Sequence, residues 1–495
     1  MSYLNESGSL HPFEEVVPDA LKVNGLSRSS ILTSRRRARV TPQSGMNYGS
    51  AGAGAGSSQI QTLIADQGGL VDMRSISINY FLNTSGTNTP CADDGHVFST
   101  VQISLNGQLL ENIQNAMKVS NIETKLGASM AYYKSAGSLQ GLELYNPDLN
   151  ITTGSGKWGE VVKNVTDLNA RQTKAASVQT NGQAGSPRSI PLSSISGLGR
   201  MSQYLPISIL GELQFIFVTG SAAEVVFNPA TAATAAGTGD YSISNFNITY
   251  DVVVPDPRYA AVLQNIASNP SEGGLSMPFE STICSAAAAV AQSVTALGET
   301  SLIVSRATSH LLRSSVVFML TAGVQSLGWP SQSCFSHAGV WAFQQRVGSQ
   351  VYPQIAAQGD SDMFNLALEA YGSVAQEYGS CVNRQTWGIS TGATSVTGTP
   401  TIYESPQMAA ASTAAAGNGS VFGYADSFIP TYGYRVVKGG AEQLDLDGIN
   451  LSSASGSQLI CTFVAAPPAA YTPYVTLVAL KFINARGNSV TVQGA

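Results

Sequence analysis

Apolar and polar residues alternate most cleanly in the middle of the chain. From Leu205 to Val218, the residues Ile207, Ile209, Leu213, Phe215 and Phe217 share one parity. From Tyr241 to Val254, Phe246, Ile248, Tyr250, Val252 and Val254 share one parity, with Asn245, Asn247, Thr249 and Asp251 on the other. Successive side chains of a strand point to opposite faces, so period two predicts half-buried antiparallel strands. An Ala/Thr/Gly loop, 230–239, separates the two runs. Pro255-Asp-Pro257 ends the second run, because proline offers no ladder donor. One β-domain therefore closes near residue 255, with about as much chain still to come.

The same pattern recurs on both sides. Ile76, Ile78, Tyr80 and Leu82 alternate with Ser75, Ser77 and Asn79, and Val97 to Leu105 alternates after a polar turn at 88–95. Asn106-Gly107 predicts a tight turn, since both residues accept positive φ. The spacing of Ile113, Met117, Ile122, Leu126 and Met130 predicts a helix over 111–133. A short helix is expected at 259–266. Further strands are expected at 301–308, 315–321, 341–347, 443–451, 458–465 and 474–483. A second helix is expected at 362–378, on the stripe Met363, Leu366, Ala370, Val374 and Tyr378. Long polar tracts at 145–188, 230–240 and 388–420 interrupt the strands, and loops of that length are usually functional or contact partners. Each half runs as strands, a helix, a long polar loop, then strands, without residue-level identity between the halves. The predicted organisation is an N-terminal arm 1–30, a first unit 31–257, a linker 258–278 and a second unit 279–495. The fold class is all-β, with two β-sandwiches in tandem.

Composition sharpens this picture. Apolar residues make up 43% of the 495, enough for real cores. Charged residues are only 11%, against about 25% for an ordinary soluble protein. A surface poor in Lys and Glu suits a protein that buries its exterior against copies of itself; a secreted β-protein with neutral loops has a similar composition. The net charge of −6 argues against wholesale coating of nucleic acid. No run of apolar residues is long enough for a spanning helix, and no secretory signal is visible at Met1-Ser-Tyr-Leu-Asn-Glu6. Cysteines 91, 284, 334, 381 and 461 show no Cys-x-x-Cys spacing and are expected as reduced, mostly buried thiols of a protein made in the cytosol.

Candidate chemistry is sparse. Gly154-Ser-Gly156-Lys157 fails as a phosphate loop, with Ile151 where glycine is needed and Trp158 where Ser or Thr is needed. Asp93-Asp94-Gly-His96 and Asp445-Leu-Asp447-Gly448 are better explained as turns than as metal sites. The histidines at 11, 96, 310 and 337 form no nucleophile–base pair. Asn-x-Ser/Thr sequons at 5, 83, 150, 164, 247, 418 and 450 are expected to be unmodified. No catalytic residue, metal site or cofactor is expected. The one basic run, Arg35, Arg36, Arg37 and Arg39, is a candidate contact for nucleic acid or an anionic membrane face. The plainer alternative, favoured in so acidic a chain, is the solvent face of a first strand or a solvated arm.

Several blocks carry a resemblance. Phe98-Ser-Thr-Val-Gln-Ile-Ser-Leu-Asn-Gly107 followed by 108–115, the pair 205–217 and 241–254, Gln350-Val-Tyr-Pro353, and the closing strands 458–465 and 474–483 resemble double jelly-roll major capsid proteins. That lineage includes adenovirus hexon, giant viruses, virophages and polinton-like viruses. The resemblance implies two eight-stranded jelly rolls per subunit, upright on a shell and grouped as pseudo-hexagonal homotrimers, with the long loops at the tower top. It implies partners as well: other copies of the chain, neighbouring capsomers, minor or cement and penton proteins, and an internal membrane or packaged DNA through the N-terminal region. The expected location is the virion, after synthesis in the host cytoplasm or nucleus. The competing functional readings are a carbohydrate-binding β-sandwich, which needs paired carboxylates about 5–10 Å apart across a cleft, and a surface adhesin.

Overall fold

The computed structural model describes residues 32–43, 45, 47–49, 58–65, 69–84, 89–90, 96–129, 132, 137–140, 186–227, 241–268, 274–290, 298–304, 308–321, 335, 338–371, 387, 428–434, 448–451, 457–463, 470–486 and 489–493. The arm 1–30, most of the three long polar tracts, and residues 443–447 lie outside the described residues, as do Cys91, Cys334 and Cys381.

Among the described residues, sixteen strands make up the paired layers of the two rolls. Those of the first are β1 (Leu32–Val40), β2 (Gln59–Ile64), β3 (Leu70–Thr84), β4 (Phe98–Leu105), β5 (Gln108–Gln114), β6 (Ser186–Pro191), β7 (Leu213–Thr219) and β8 (Tyr241–Pro255). Those of the second are β9 (Leu275–Ala286), β10 (Glu299–Val304), β11 (Leu311–Leu320), β12 (Val340–Val347), β13 (Gln350–Gln358), β14 (Thr431–Gly433), β15 (Ser457–Phe463) and β16 (Tyr471–Arg486). The first roll pairs its strands as β1-β8-β3-β6 and β2-β7-β4-β5; the second as β9-β16-β11-β14 and β10-β15-β12-β13. Counted within each roll, both orders are first-eighth-third-sixth and second-seventh-fourth-fifth. Two four-stranded antiparallel layers in this order are an eight-stranded jelly roll. The chain holds two of them, as the sequence predicts. Ser489–Gln493 extends the second roll by pairing with β16.

The cores lie between the layers. In the first roll, Ile78, Tyr80, Phe246 and Ile248 from one sheet meet Phe98, Val101, Phe215 and Phe217 from the other, all buried. Phe98 and Phe217 lie 4.9 Å apart by ring centroid, and Phe217 and Phe246 5.7 Å apart. In the second roll, Val316 and Phe318 face Phe343, Leu459 and Phe463. Gln345 is fully buried there, and its amide is satisfied by Ser314, Tyr434 and Ser457.

Several elements differ from expectation. The run 205–218 is not one strand: Ile207–Leu210 is a helical turn, and Gly211 at φ +95° redirects the chain into β7. Residues 111–133 are not one helix. Chain 108–114 is strand β5, and helix α1 (Ala116–Gly127) starts after Asn115, which is left-handed at φ +53°. The turn at Asn106-Gly107 forms as expected, with φ of +48° and +77°. Strand β8 carries a bulge at Asn245 (φ +55°) that shifts the buried parity from Tyr241 and Ile243 to Phe246, Ile248 and Tyr250. Such an extra residue reverses which face each later side chain takes. Strand β9 begins inside the segment read as a linker, after helix α2 (Pro257–Ser268). Helix α3 (Gly359–Ala370) starts before residue 362, and residues 372–378 lie outside the described residues. Residues 448–451 join β11 by a single bridge at Ile449.

Phe217 is fully buried, while Ile303 is 66% exposed. Phe217→Ala is expected to cost about 3–5 kcal/mol in chemical denaturation, and Ile303→Ala to stay within about 0.5 kcal/mol.

Candidate functional site

Two places gather the charge that this chain otherwise lacks. One is the junction between the rolls; the other is strand β1.

The junction is built around helix α1. It follows β5 out of the first roll, and every residue from Ala116 to Leu126 is buried. Those residues include Lys118, Glu123 and Lys125, so the helix is amphipathic by pattern yet enclosed on its charged face as well. Polar groups survive such burial only when paired. Glu123 Oε2 accepts from Arg200 of the first roll at 2.8 Å and from Arg313 of β11 at 2.7 Å. Its Oε1 accepts from the Tyr371 hydroxyl at 3.1 Å. Arg313 also stacks on the Tyr371 ring, 4.5 Å from its centroid, and lies 3.6 Å from Glu280 of β9. The ammonium groups of Lys118 and Lys125 sit over the rings of Tyr474 and Phe335 of the second roll, at 4.6 and 5.3 Å. One carboxylate thus joins three partners drawn from both rolls.

A second buried acid closes the sheet edge. Strand β9 is an edge strand, and its Thr282 N–H donates at 3.2 Å to Glu111 Oε1 of β5. The other Glu111 oxygen accepts from Ser196, whose hydroxyl in turn accepts from the Leu198 N–H. A sheet edge inside the molecule is thereby covered rather than left open to pairing. The backbones also touch. A Cβ on Gly197 would lie 2.0 Å from the Glu280 carbonyl oxygen, so only glycine fits there.

The two acids end with opposite shifts. Burial pushes the Glu111 carboxyl up, and its hydrogen bonds from Ser196 and Thr282 only partly offset this. Burial acts the same way on Glu123, but Arg313 and Arg200 outweigh it and hold that carboxyl below its ordinary range. The junction is a structural clamp, not a proton-transfer pair, since both acids are spent in fixed contacts.

The arginine run lies where the plainer reading puts it, on the first strand. Strand β1 pairs only with β8 and forms the edge of its sheet. Arg35 binds Asp251 at 2.6 Å and Asp72 at 3.3 Å, which raises its pKa further. Arg37 donates to the Thr249 hydroxyl at 3.2 Å. Arg36 and Arg39 are exposed. The structure brings these four residues together on one edge strand and shows no contact between them and the buried junction acids Glu111 and Glu123, which the sequence analysis did not single out. No metal-holding group of His, Cys, Asp and Glu occurs among the described residues. His96 is buried, accepts from the Phe98 N–H, and is lowered to about 3, so it stays neutral. Cys284 and Cys461 are free and buried; burial pushes the Cys461 thiol up to about 12.

The sequence matches no protein-family profile and no curated protein. The fold is a double jelly roll, and it is found in solved viral structures. The Faustovirus major capsid protein superposes with a TM-score of 0.57 at 9% identity, covering 96% of this chain and 94% of that one. PBCV-1 VP54, fitted into a reconstruction of the virophage Sputnik, gives 0.51 at 12%, covering 95% and 99%. The Sputnik virophage cryo-EM structure gives 0.52 at 12%, covering 97% and 92%. At such identities the likeness establishes the fold.

Glu123→Ala is expected to cost about 3–5 kcal/mol, because it leaves two buried guanidiniums without their anion. The pH dependence follows from the lowered carboxyl. Its stabilisation is complete above the unfolded value of 4.5 and is lost as pH falls through the lower folded value. Acid denaturation curves should therefore show an acid limb below about pH 4.5 that Glu123→Gln flattens. Glu111 acts in the opposite sense, so Glu111→Gln should steady the protein as pH rises through the raised folded value of that carboxyl.

Proposed function

We propose that the chain is the major capsid subunit of an icosahedral virus, assembling as pseudo-hexagonal homotrimers that tile the shell. What carries this is a pair of identically wound rolls locked side by side in one chain, in a fold shared over nearly its whole length with the Faustovirus major capsid protein. A jelly roll leaves few open edges, which suits a block that must pack without uncontrolled strand pairing. The clamp at Glu123 makes the two rolls one rigid unit. The low charge content suits a surface mostly covered by neighbours.

This proposal includes a virion location, contacts with neighbouring capsomers, and contacts with minor, cement and penton proteins. The division into an arm, two units and a linker belongs to it as well, with the second unit beginning at β9. A structural rather than enzymatic role fits the pattern of acids: among the described residues, the buried carboxylates Glu111 and Glu123 are occupied in the junction. The same fact weighs against a glycan cleft, and the closed pair of rolls weighs against an adhesin.

Light scattering on the purified chain should give a mass three times 51.5 kDa, and negative-stain images of that peak should show a hexagonal outline. A monomer that binds glycans, with binding lost on changing one acid, would overturn the capsid role.

A further inference from the structure

His96 lies just before β4, buried, with its ring stacked on Phe98 at 5.6 Å. Its Nδ1 accepts from the Phe98 N–H at 3.2 Å, so the ring proton sits on Nε2. Among the described residues Nε2 has no hydrogen-bond partner. Burial disfavours the charged form of the ring, and the Ala116 carbonyl at the start of α1 offsets this only in part. A phenylalanine here would extend the cluster of Phe98, Phe217 and Phe246 without burying an unpaired N–H. Packing alone therefore does not explain a histidine at this position.

A second proton has one place to go, the Nδ1 lone pair. There it turns the acceptor of the Phe98 N–H into a donor facing a donor. It also places a cation among apolar rings. The titratable groups on the described elements around this end of the roll are Tyr80 of β3, Arg188 of β6, Glu224 in the turn 222–225, Tyr241 of β8 and Lys118 of α1. None of them acts on the His96 ring. The one carboxylate among them, Glu224, accepts from the N–H and the hydroxyl of Ser221. Among the described residues, then, the charged ring finds no anion to hold it in place.

The chain around His96 is fastened to the joint between the rolls. The Val97 carbonyl accepts from the Gly220 N–H at 2.8 Å. Gly220 in turn lies against α1, where a Cβ would come 2.7 Å from Met117 Cε. The first turn of α1 has no side-chain cap and no acid, so packing on this side is what holds it. The same helix carries Glu123 into the clamp. We propose that His96 is an acid-sensing latch on that joint: protonation at Nδ1 expels the ring, and the start of α1 is released with it. The pH range follows from linkage. The imidazole titrates at 6.5 when free and at about 3 in the fold, so its stabilisation is complete above 6.5 and declines about tenfold per pH unit below it. The acid limb of Glu123 begins lower, below about pH 4.5. The latch belongs to the single chain and stands apart from the capsid reading.

The test is amide hydrogen exchange on the full chain at about pH 6.5 and about pH 5, corrected for the intrinsic effect of pH. His96→Asn is the comparison: its Oδ1 stands where Nδ1 stands and accepts from the Phe98 N–H, but it does not titrate. Amides of 96–98 and of the first turns of α1 should lose about thirtyfold in protection in the wild type relative to the variant. Equal pH dependence in the two chains would overturn the latch. Loss confined to 96–98, with α1 unchanged, would overturn its coupling to the joint. A second measurement needs no variant and so stands even where His96→Asn does not fold. The imidazole C–H resonance of His96 in the folded wild-type chain should show no titration at its ordinary value, and a midpoint near 6.5 there would overturn the latch.

Discussion

The carboxylate of Glu123 is the contact on which the relation between the two rolls depends. It lies in a buried helix, and it takes hydrogen bonds from Arg200 on one side and from Arg313 and Tyr371 on the other. Removing three charged groups from water is costly, and an apolar junction of equal volume would be as stable or more so. What the charges add is direction. An apolar contact tolerates sliding, but a shift of a few ångströms here would strand a buried charge. Gly197 enforces the same geometry sterically, because the Glu280 backbone fills the space a Cβ would need. Two sandwiches that share no residue-level repeat are thus held at one angle.

How much of this was legible in the sequence depended on what each segment was buried against. Strands β3, β4, β7 and β15 face a core on one side only, so their period-two pattern survives, whereas β16 and the Phe246–Tyr250 stretch of β8 are buried on both faces. The 16 residues of β16 run longer than expected because β9 pairs along most of one edge, while β11 and Ser489–Gln493 divide the other edge between them. Strand β8 was legible despite its bulge, since Phe246 to Val252 keep one parity beyond Asn245. Strands β9 and β13 were hidden. Each carries a proline, Pro278 and Pro353, that argues against a central strand; both strands lie at sheet edges, where proline is tolerated.

The junction was the least legible part, for a physical reason. Helix α1 reads Ala-Met-Lys-Val-Ser-Asn-Ile-Glu-Thr-Lys-Leu-Gly. By pattern it is an ordinary amphipathic helix with a charged outer face, so Lys118, Glu123 and Lys125 pass for solvated residues. Their burial depends on a second sandwich contributed by chain more than a hundred residues away, and no local pattern carries that information. The arginine run was legible as a cluster because it is local, and its placement on an edge strand was among the readings the sequence offered.

The two edges show how a double sandwich manages its open ladders. A free edge is a template for pairing with any strand that meets it. The edge at β9 is closed internally: Glu111 accepts its Thr282 N–H, and the backbone of the first roll lies against it. The edge at β1 is instead lined with charge, which discourages indiscriminate pairing while the chain is alone. Charge of one sign repels other copies of itself and welcomes a surface of the opposite sign, so an edge protected in this way is also selective. In a chain with so few charged residues, placing four of its 25 basic side chains on one edge strand and most of its described buried charge in one junction concentrates electrostatics where geometry must be specified. The neutral remainder can then pack closely without paying to desolvate ions.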